Sequence, residues 1–243
     1  MSAPAANILR WGREQARTAC WRGEGNVALL TPVPSAPLPS AAFLHHCLEV
    51  LASRGYTRVV TGALSPLEQA GFLAAGFDVA ERLHLLSLDL VGPLPPVPAG
   101  ATLTRGRCHA DRAAVLTVDG AAFSSFWRLD GAALDDALAA TPSTRWRVAR
   151  PRRRWEAGAV EGYCISGRSG PRGFVQRLAV DPARHGRGTG RRLLLDGLHW
   201  MRSRGARSAV VNTQLGNDAA LALYHSVGFR DEPVGLSVLA AGL

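Results

Sequence analysis

From residue 101 onward the chain alternates between apolar spacing of two and apolar spacing near 3.6, so strands and helices follow one another. A short strand is expected at 101–104, then helices at 111–123 and 130–140. The second opens on Asp130, a residue type whose carboxylate accepts from first-turn amides. Residues 145–150 and 159–165 alternate as strands joined by a turn over 151–158, and 173–180 is a further strand stopped by Asp181-Pro182. A long helix over 189–204 ends on Gly205, a Val-rich strand covers 208–213, a helix over 217–226 is closed by Gly228, and a strand at 234–239 finishes the chain. The order βααβββαβαβ predicts an α/β (mixed α+β) class: a mixed sheet flanked by helices on both faces.

Gly92-Pro93-Leu94-Pro95-Pro96-Val97-Pro98 holds four prolines, which fit neither a helix nor a central strand, so an extended linker is expected there. It divides the chain into 1–95 and 99–243. The first part repeats the end of the second. Ser53-Arg54-Gly55 matches Ser203-Arg204-Gly205 at an offset of 150 (Gly55 to Gly205), with Pro32 on Pro182 and Val60 on Val210. Two residues out of that register, Gly76-Phe77 falls on Gly228-Phe229 and Phe72 on Tyr224. The shared order (strand, loop, long helix, strand, short helix, Gly-Phe, strand) reads as a degenerate internal duplication.

Composition adds little to this. With 243 residues, 47% of them hydrophobic and 19% charged, the chain has the make-up of a globular protein. No apolar run approaches the ~20 residues of a membrane span, and residues 1–10 lack the signature of a secretory signal, so a cytoplasmic protein is expected. Cys20, Cys47, Cys108 and Cys164 are scattered, and the histidines show no metal-ligand spacing; reduced thiols and no metal are expected. The formal charge is +9, and all 28 basic residues are arginines. That excess favours anionic ligands without choosing among them.

The densest chemistry lies between strand 173–180 and the helix at 189. Glycines at 186, 188 and 190 let the backbone turn tightly and present N–H groups to a ligand. The first helical turn adds unpaired donors and a partial positive charge suited to a pyrophosphate, and Arg184, Arg187, Arg191 and Arg192 surround it. A dinucleotide fingerprint needs an acidic residue ~20 residues onward, and a P-loop needs Gly-Lys-Ser/Thr; neither is present. Further on, Asn217 opens a helix, Tyr224 follows two turns later on nearly the same face, and Gly228-Phe229 ends it.

Over residues 101–243 the glycine loop, the next strand, Asn217, Tyr224 and Gly228-Phe229 together resemble the GNAT superfamily of N-acetyltransferases. The resemblance implies a splayed mixed sheet with a truncated N-terminal pseudo-repeat, acetyl-CoA as co-substrate, and transfer to a primary amine on a small molecule or a protein α-amino group. It implies that the backbone of Leu178, Ala179 and Val180 pairs with pantetheine. It places the pyrophosphate on His185, Gly186, Arg187, Gly188, Thr189, Gly190 and Arg191, a cofactor contact on Asn217, and the acid for the leaving thiolate on Tyr224. His185 stands where the family more often has Gln or Arg. The family's usual strand Glu is missing: Gln176 and Asn212 occupy the nearest positions, and neither takes a proton. Glu161 is the nearest carboxylate in sequence, either a catalytic base or a solvated strand residue.

Phe126 and Trp127, between the first two helices, are candidates for lining the acceptor pocket or for filling core. Six arginines between Arg145 and Arg154 form either an anionic-partner patch or the solvated tip of a hairpin. With few aromatics beside them, nucleic acid is not the expected partner. In the N-terminal unit prolines replace the loop glycines and Phe72 replaces the tyrosine, so that unit is expected to be silent. The expected protein is an acetyltransferase, monomeric or homodimeric. A non-catalytic acyl-CoA sensor and a nucleic-acid-associated module are the alternatives.

Overall fold

A computed structural model describes residues 7–22, 24–106, 109–151 and 159–243. Arg152, Arg153, Arg154, Trp155, Cys108 and most of the turn expected at 151–158 lie outside the described residues. In chain order the elements are β1 (Asn7–Trp11), β2 (Glu14–Trp21), β3 (Glu24–Pro32), α1 (Ala41–Ser53), β4 (Arg58–Thr61), α2 (Pro66–Ala74) and β5 (Asp78–Asp89). There follow β6 (Thr102–Arg105), α3 (His109–Ala122), α4 (Gly131–Ala139), β7 (Ser143–Arg150), β8 (Gly162–Ser169), β9 (Arg172–Val180) and a 3-10 turn (Pro182–Arg184). The chain ends with α5 (Thr189–Ser203), β10 (Ser208–Gln214), α6 (Asp218–Val227), β11 (Arg230–Asp231) and β12 (Leu236–Gly242).

Two compact units result, and they do not part at the proline-rich stretch. Unit 1 comprises residues 1–85, 213–216 and 232–243; unit 2 comprises 86–212 and 217–231. The reason is packing. Leu86 and Leu90, ahead of the prolines, sit in the unit 2 core, whereas Leu239 of the last strand sits in the core of unit 1. The prolines themselves belong to unit 2. Their extended backbone leaves carbonyls free, and α5 uses them: His199 Nε2 donates to Pro95 O (2.8 Å), Arg202 to Gly92 O (3.0 Å) and Arg192 to Pro98 O.

In unit 1 the strand order is β1-β2-β3-β4-β12-β5, with β3 and β4 parallel (Leu29↔Val60) and β12 antiparallel to both β4 and β5. Helix α1 starts on Ser40, whose hydroxyl accepts from Phe43 N, and buries Phe43, Leu44, Cys47 and Leu51 at spacings of one, three and four. These pack with Leu30, Val59 and Phe72.

Unit 2 runs β10-β9-β8-β7-β6, with β9 and β10 parallel and the other pairs antiparallel. Its sheet is covered on both faces, as alternation along β8 shows. Tyr163 and Ile165 join Val115, Val118 and Leu134 of α3 and α4, while Cys164 between them joins Leu194, Leu198 and Met201 of α5. Gly197 allows this approach, since a Cβ there would collide with the Ser166 side chain. The buried thiols of Cys47 and Cys164 are pushed up to about 12, first by burial. No helix is long and apolar enough to cross a membrane among the described residues.

Candidate active site

The parallel pairing of β9 and β10 covers only Arg172, Gly173 and Phe174 with Ser208, Ala209 and Val210. On the β8 side, by contrast, β9 stays paired to its last residue, Val180 opposite Gly162. The strands therefore splay, and in unit 2 a cleft of about 330 Å³ opens beside Leu178, Ala179 and Val180.

The loop after β9 forms the cleft's polar end. Asp181 caps the 3-10 turn by accepting from Ala183 N (2.9 Å), and His185 Nε2 donates back to Val180 O (3.0 Å). Gly186 and Gly188 take left-handed conformations at φ 73° and 76°, where an L side chain is strained. Gly188 is also the N-cap of α5 and supplies no side chain to the first-turn amides. In α1, α4 and α6 a side-chain oxygen satisfies one of those donors. The amides at the start of α5 are thus left for a ligand, with Arg187 exposed beside them and without a side-chain partner among the described residues. This donor set, backbone N–H groups and a helix N-terminus flanked by arginine, fits a diphosphate. Arg191 is tied to Ser226 O and Oγ (3.1 and 2.8 Å) and so binds α5 to α6. Arg192 faces the proline carbonyls and does not line the cleft.

The other end of the cleft is set by α6. Asn217 lines it, its Oδ1 capping the helix through Ala220 N (3.2 Å). Tyr224 lines it two turns later, 5% exposed, with its ring tilted against Phe229 at 5.6 Å. The left-handed Gly228 (φ 107°) turns the chain so that Phe229 N can reach Tyr224 O (3.1 Å). Burial, reinforced by the neighbouring Cys164 and only partly offset by Arg177, raises the Tyr224 phenol well above its ordinary 10.0, so it stays protonated across the neutral range. Its hydroxyl has no hydrogen-bond partner among the described residues.

Behind the cleft lies a cluster the sequence reading missed. Asp119 of α3 is fully buried and accepts from Arg177 Nε (2.7 Å), Arg177 Nη2 (2.8 Å), Leu129 N (2.6 Å) and the Tyr163 hydroxyl. Arg177 also donates to Trp127 O (2.7 Å) and stacks on Phe123 at 3.5 Å. Phe123 lines the cleft; Phe126 and Trp127 do not, and pack edge-to-face with each other at 5.1 Å. The ion pair thus fixes the connection from α3 to α4. Its only sequence signal was Asp119 on the apolar stripe that carries Val115 and Val118.

Glu161 is neither solvated nor in the cleft. It is 8% exposed, and its carboxylate accepts from Thr189 Oγ1 (3.4 Å) and lies 3.9 Å from Arg184 Nη1. It therefore holds the loop from behind. The cleft lining contains no carboxylate among the described residues.

Unit 1 repeats the scaffold with a different helix end. The N-terminus of α1 is occupied by Ser40, whose N and Oγ donate to the Glu14 carboxylate (Oγ to Oε2, 3.0 Å). The preceding proline loop closes on α2, so that a Cβ at Gly71 would collide with Pro39 O. Phe72 and Phe77 meet edge-to-face at 5.2 Å where unit 2 has Tyr224 and Phe229.

Residues 135–229 match the model of the acetyltransferase (GNAT) family. The mycothiol acetyltransferase of Thermobispora bispora is 32% identical over 174 residues, covering 67% of this chain and 59% of that protein. That of Nocardia farcinica is 30% identical over 212 residues, covering 80% of this chain and 68% of that one. Among solved structures, a tandem GNAT protein from the clavulanic acid biosynthesis pathway superimposes with a TM-score of 0.70 at 17% identity, over 100% of this chain and 85% of its own.

Proposed function

Since the chain belongs to the GNAT acetyltransferase family, we propose that it transfers an acetyl group from acetyl-CoA to the primary amine of a small molecule, and that unit 2 carries the reaction. The observation that supports this best is the pairing, in one cleft, of an uncapped helix N-terminus with a buried, protonated tyrosine.

Acetyl-CoA, the family's co-substrate, supplies an activated thioester. The first-turn amides of α5 and Arg187 hold its diphosphate, and the unpaired side of Leu178, Ala179 and Val180 takes the pantetheine as an added strand. Backbone N–H groups of that strand polarise the carbonyl, and Tyr224 holds the proton needed by the departing sulfur. Glu161 acts as a positioning residue for the loop. With no carboxylate lining the cleft among the described residues, the acceptor amine arrives as the free base or loses its proton to solvent. Unit 1, with Glu14 at its helix N-terminus, binds no CoA.

Relatives named mycothiol acetyltransferases make the mycothiol precursor lacking the acetyl group the first acceptor to try. The test is CoA-thiol release from acetyl-CoA across an amine library headed by that compound. Acceptor-dependent release supports the proposal. Tight CoA binding with no release for any amine would favour a sensor instead.

A further inference from the structure

At the far end of α5 from the cleft, unit 2 holds a second cavity, of about 410 Å³. About 15 residues of helix, roughly 22 Å at 1.5 Å per residue, separate the two ends. Three elements bring arginines to it: Arg105 from β6, Arg145 and Arg147 from β7, and Arg204 just after α5. Ser143, Thr144, Trp146 and the half-buried Trp200 also line it. Arg145 and Arg147 lie two residues apart on one strand and so share a face, which points at Asp196 of α5. Arg145 grips that carboxylate through two bonds (2.8 and 3.0 Å) and Arg147 through one (3.1 Å). Burial alone would raise the Asp196 carboxyl, but the hydrogen bonds and charge of Arg145, with Arg147 behind them, hold it below its ordinary range. Arg105 and Arg204 are exposed, and neither has a side-chain partner among the described residues.

The charges do not balance. Four guanidinium groups converge on one cavity whose lining contains no acid among the described residues, and one carboxylate behind it, Asp196, is shared by two of them. The C-terminus of α5 offsets about half a charge more. We infer that this cavity is a second anion site, built for a small phosphate-bearing molecule rather than for the CoA diphosphate. Guanidinium forks suit phosphate oxygens, and the volume falls within the range of small-ligand pockets. Trp200 offers a flat apolar wall to the rest of the ligand. A nucleic-acid strand would instead need cations set out along a groove with several stacking aromatics.

The test is calorimetric titration of the full-length protein with inorganic pyrophosphate in about 150 mM salt, where loose surface binding is screened. Pyrophosphate binding should persist in Gly188→Val, in which the cleft no longer takes a diphosphate, and adding Arg105→Ala/Arg204→Ala to that background should weaken it at least tenfold. Arg105→Lys/Arg204→Lys should fall between. Repeating the titration with ATP and with inorganic phosphate separates a nucleotide from a bare anion. Since both arginines are exposed and have no side-chain partner among the described residues, the thermal midpoint should not move; if it does, the single variant Arg105→Gln reads the same loss. Unchanged affinity on adding the two alanines to Gly188→Val, with the protein folded, or no binding in Gly188→Val itself, overturns the inference. So does a single-stranded oligonucleotide that displaces pyrophosphate far more tightly and with a steep salt dependence.

Discussion

Removing the Asp119 carboxylate should unfold more of unit 2 than any single apolar truncation on α3. Asp119 is 0% exposed and takes four hydrogen bonds, and its main partner, the Arg177 side chain, is only 10% exposed. Asp119→Ala leaves that guanidinium buried and uncompensated. Breaking a buried pair in this way costs about 3–5 kcal/mol. The Tyr163 hydroxyl and Leu129 N lose their acceptor as well, and these costs overlap rather than add. Against a typical stability of about 5–15 kcal/mol this is a large fraction. In a chain of this size each kcal/mol shifts the melting temperature by about 2–4 °C, so a drop of roughly 6–20 °C is expected. The assay is a melt followed by tryptophan fluorescence, which senses Trp127 and Trp146 in unit 2. The sharper test is Asp119→Ala/Arg177→Met. With no orphaned charge left, the double variant should melt above Asp119→Ala alone. If the double variant is as unstable as the two single losses combined, or if Asp119→Ala costs under about 1 kcal/mol, the ion pair is not what holds the α3–α4 connection.

Other expectations concern the chemistry of the cleft. Tyr224→Phe should lower turnover by about 10²-fold while leaving CoA affinity and melting temperature nearly unchanged; equal turnover in the thiol-release assay would reduce Tyr224 to packing. Gly188→Val places a β-branched residue at φ 76° and crowds the α5 amides, so CoA titration should show binding lost; wild-type affinity would remove the diphosphate from this loop. The same titration of wild type should give one CoA per chain, and a stoichiometry of two would show that Glu14 does not close the site in unit 1. With Tyr224 protonated to well above 10.0 and no cleft carboxylate among the described residues, kcat/KM should rise with pH until the acceptor amine is deprotonated, then level off. A plateau at one fixed pH for acceptors of different basicity would point to a base on the enzyme.

Local features were legible in the sequence because local rules produce them. Asp130 and Gly205 mark helix ends at the expected places, and the glycines at 186 and 188 are left-handed. The loop, Asn217 and Tyr224 do line one cleft. What escaped depends on contacts distant in sequence. The first two strands went unread, and only pairing with β4 and β5 assigns the last strand to unit 1. The proline stretch suggested a boundary, whereas its carbonyls serve α5. Glu161 was read on the strand at 159–165, facing either the cleft or solvent, yet its carboxylate turns towards Thr189. Asp119 and Arg177 are 58 residues apart, so no window along the chain could pair them.

The two units allow a comparison in which the backbone plan is held nearly constant. Each has a parallel strand pair, a long helix ending on Arg-Gly with the glycine left-handed (Gly55 at 86°, Gly205 at 88°), and a shorter helix ending on a left-handed glycine before Phe. Even the closing bond repeats: Phe77 N to Phe72 O and Phe229 N to Tyr224 O are both 3.1 Å. The differences between them bear on the function proposed for unit 2. Unit 2 leaves its helix amides without a side-chain cap and keeps a phenol at the other end of the cleft; unit 1 caps the equivalent amides with Ser40, adds Glu14, and removes the hydroxyl. A carboxylate at that helix end does the electrostatic work that a bound phosphate would do, so unit 1 keeps its fold without a ligand. The prolines of its loop act in the same direction, because they restrict the unfolded chain.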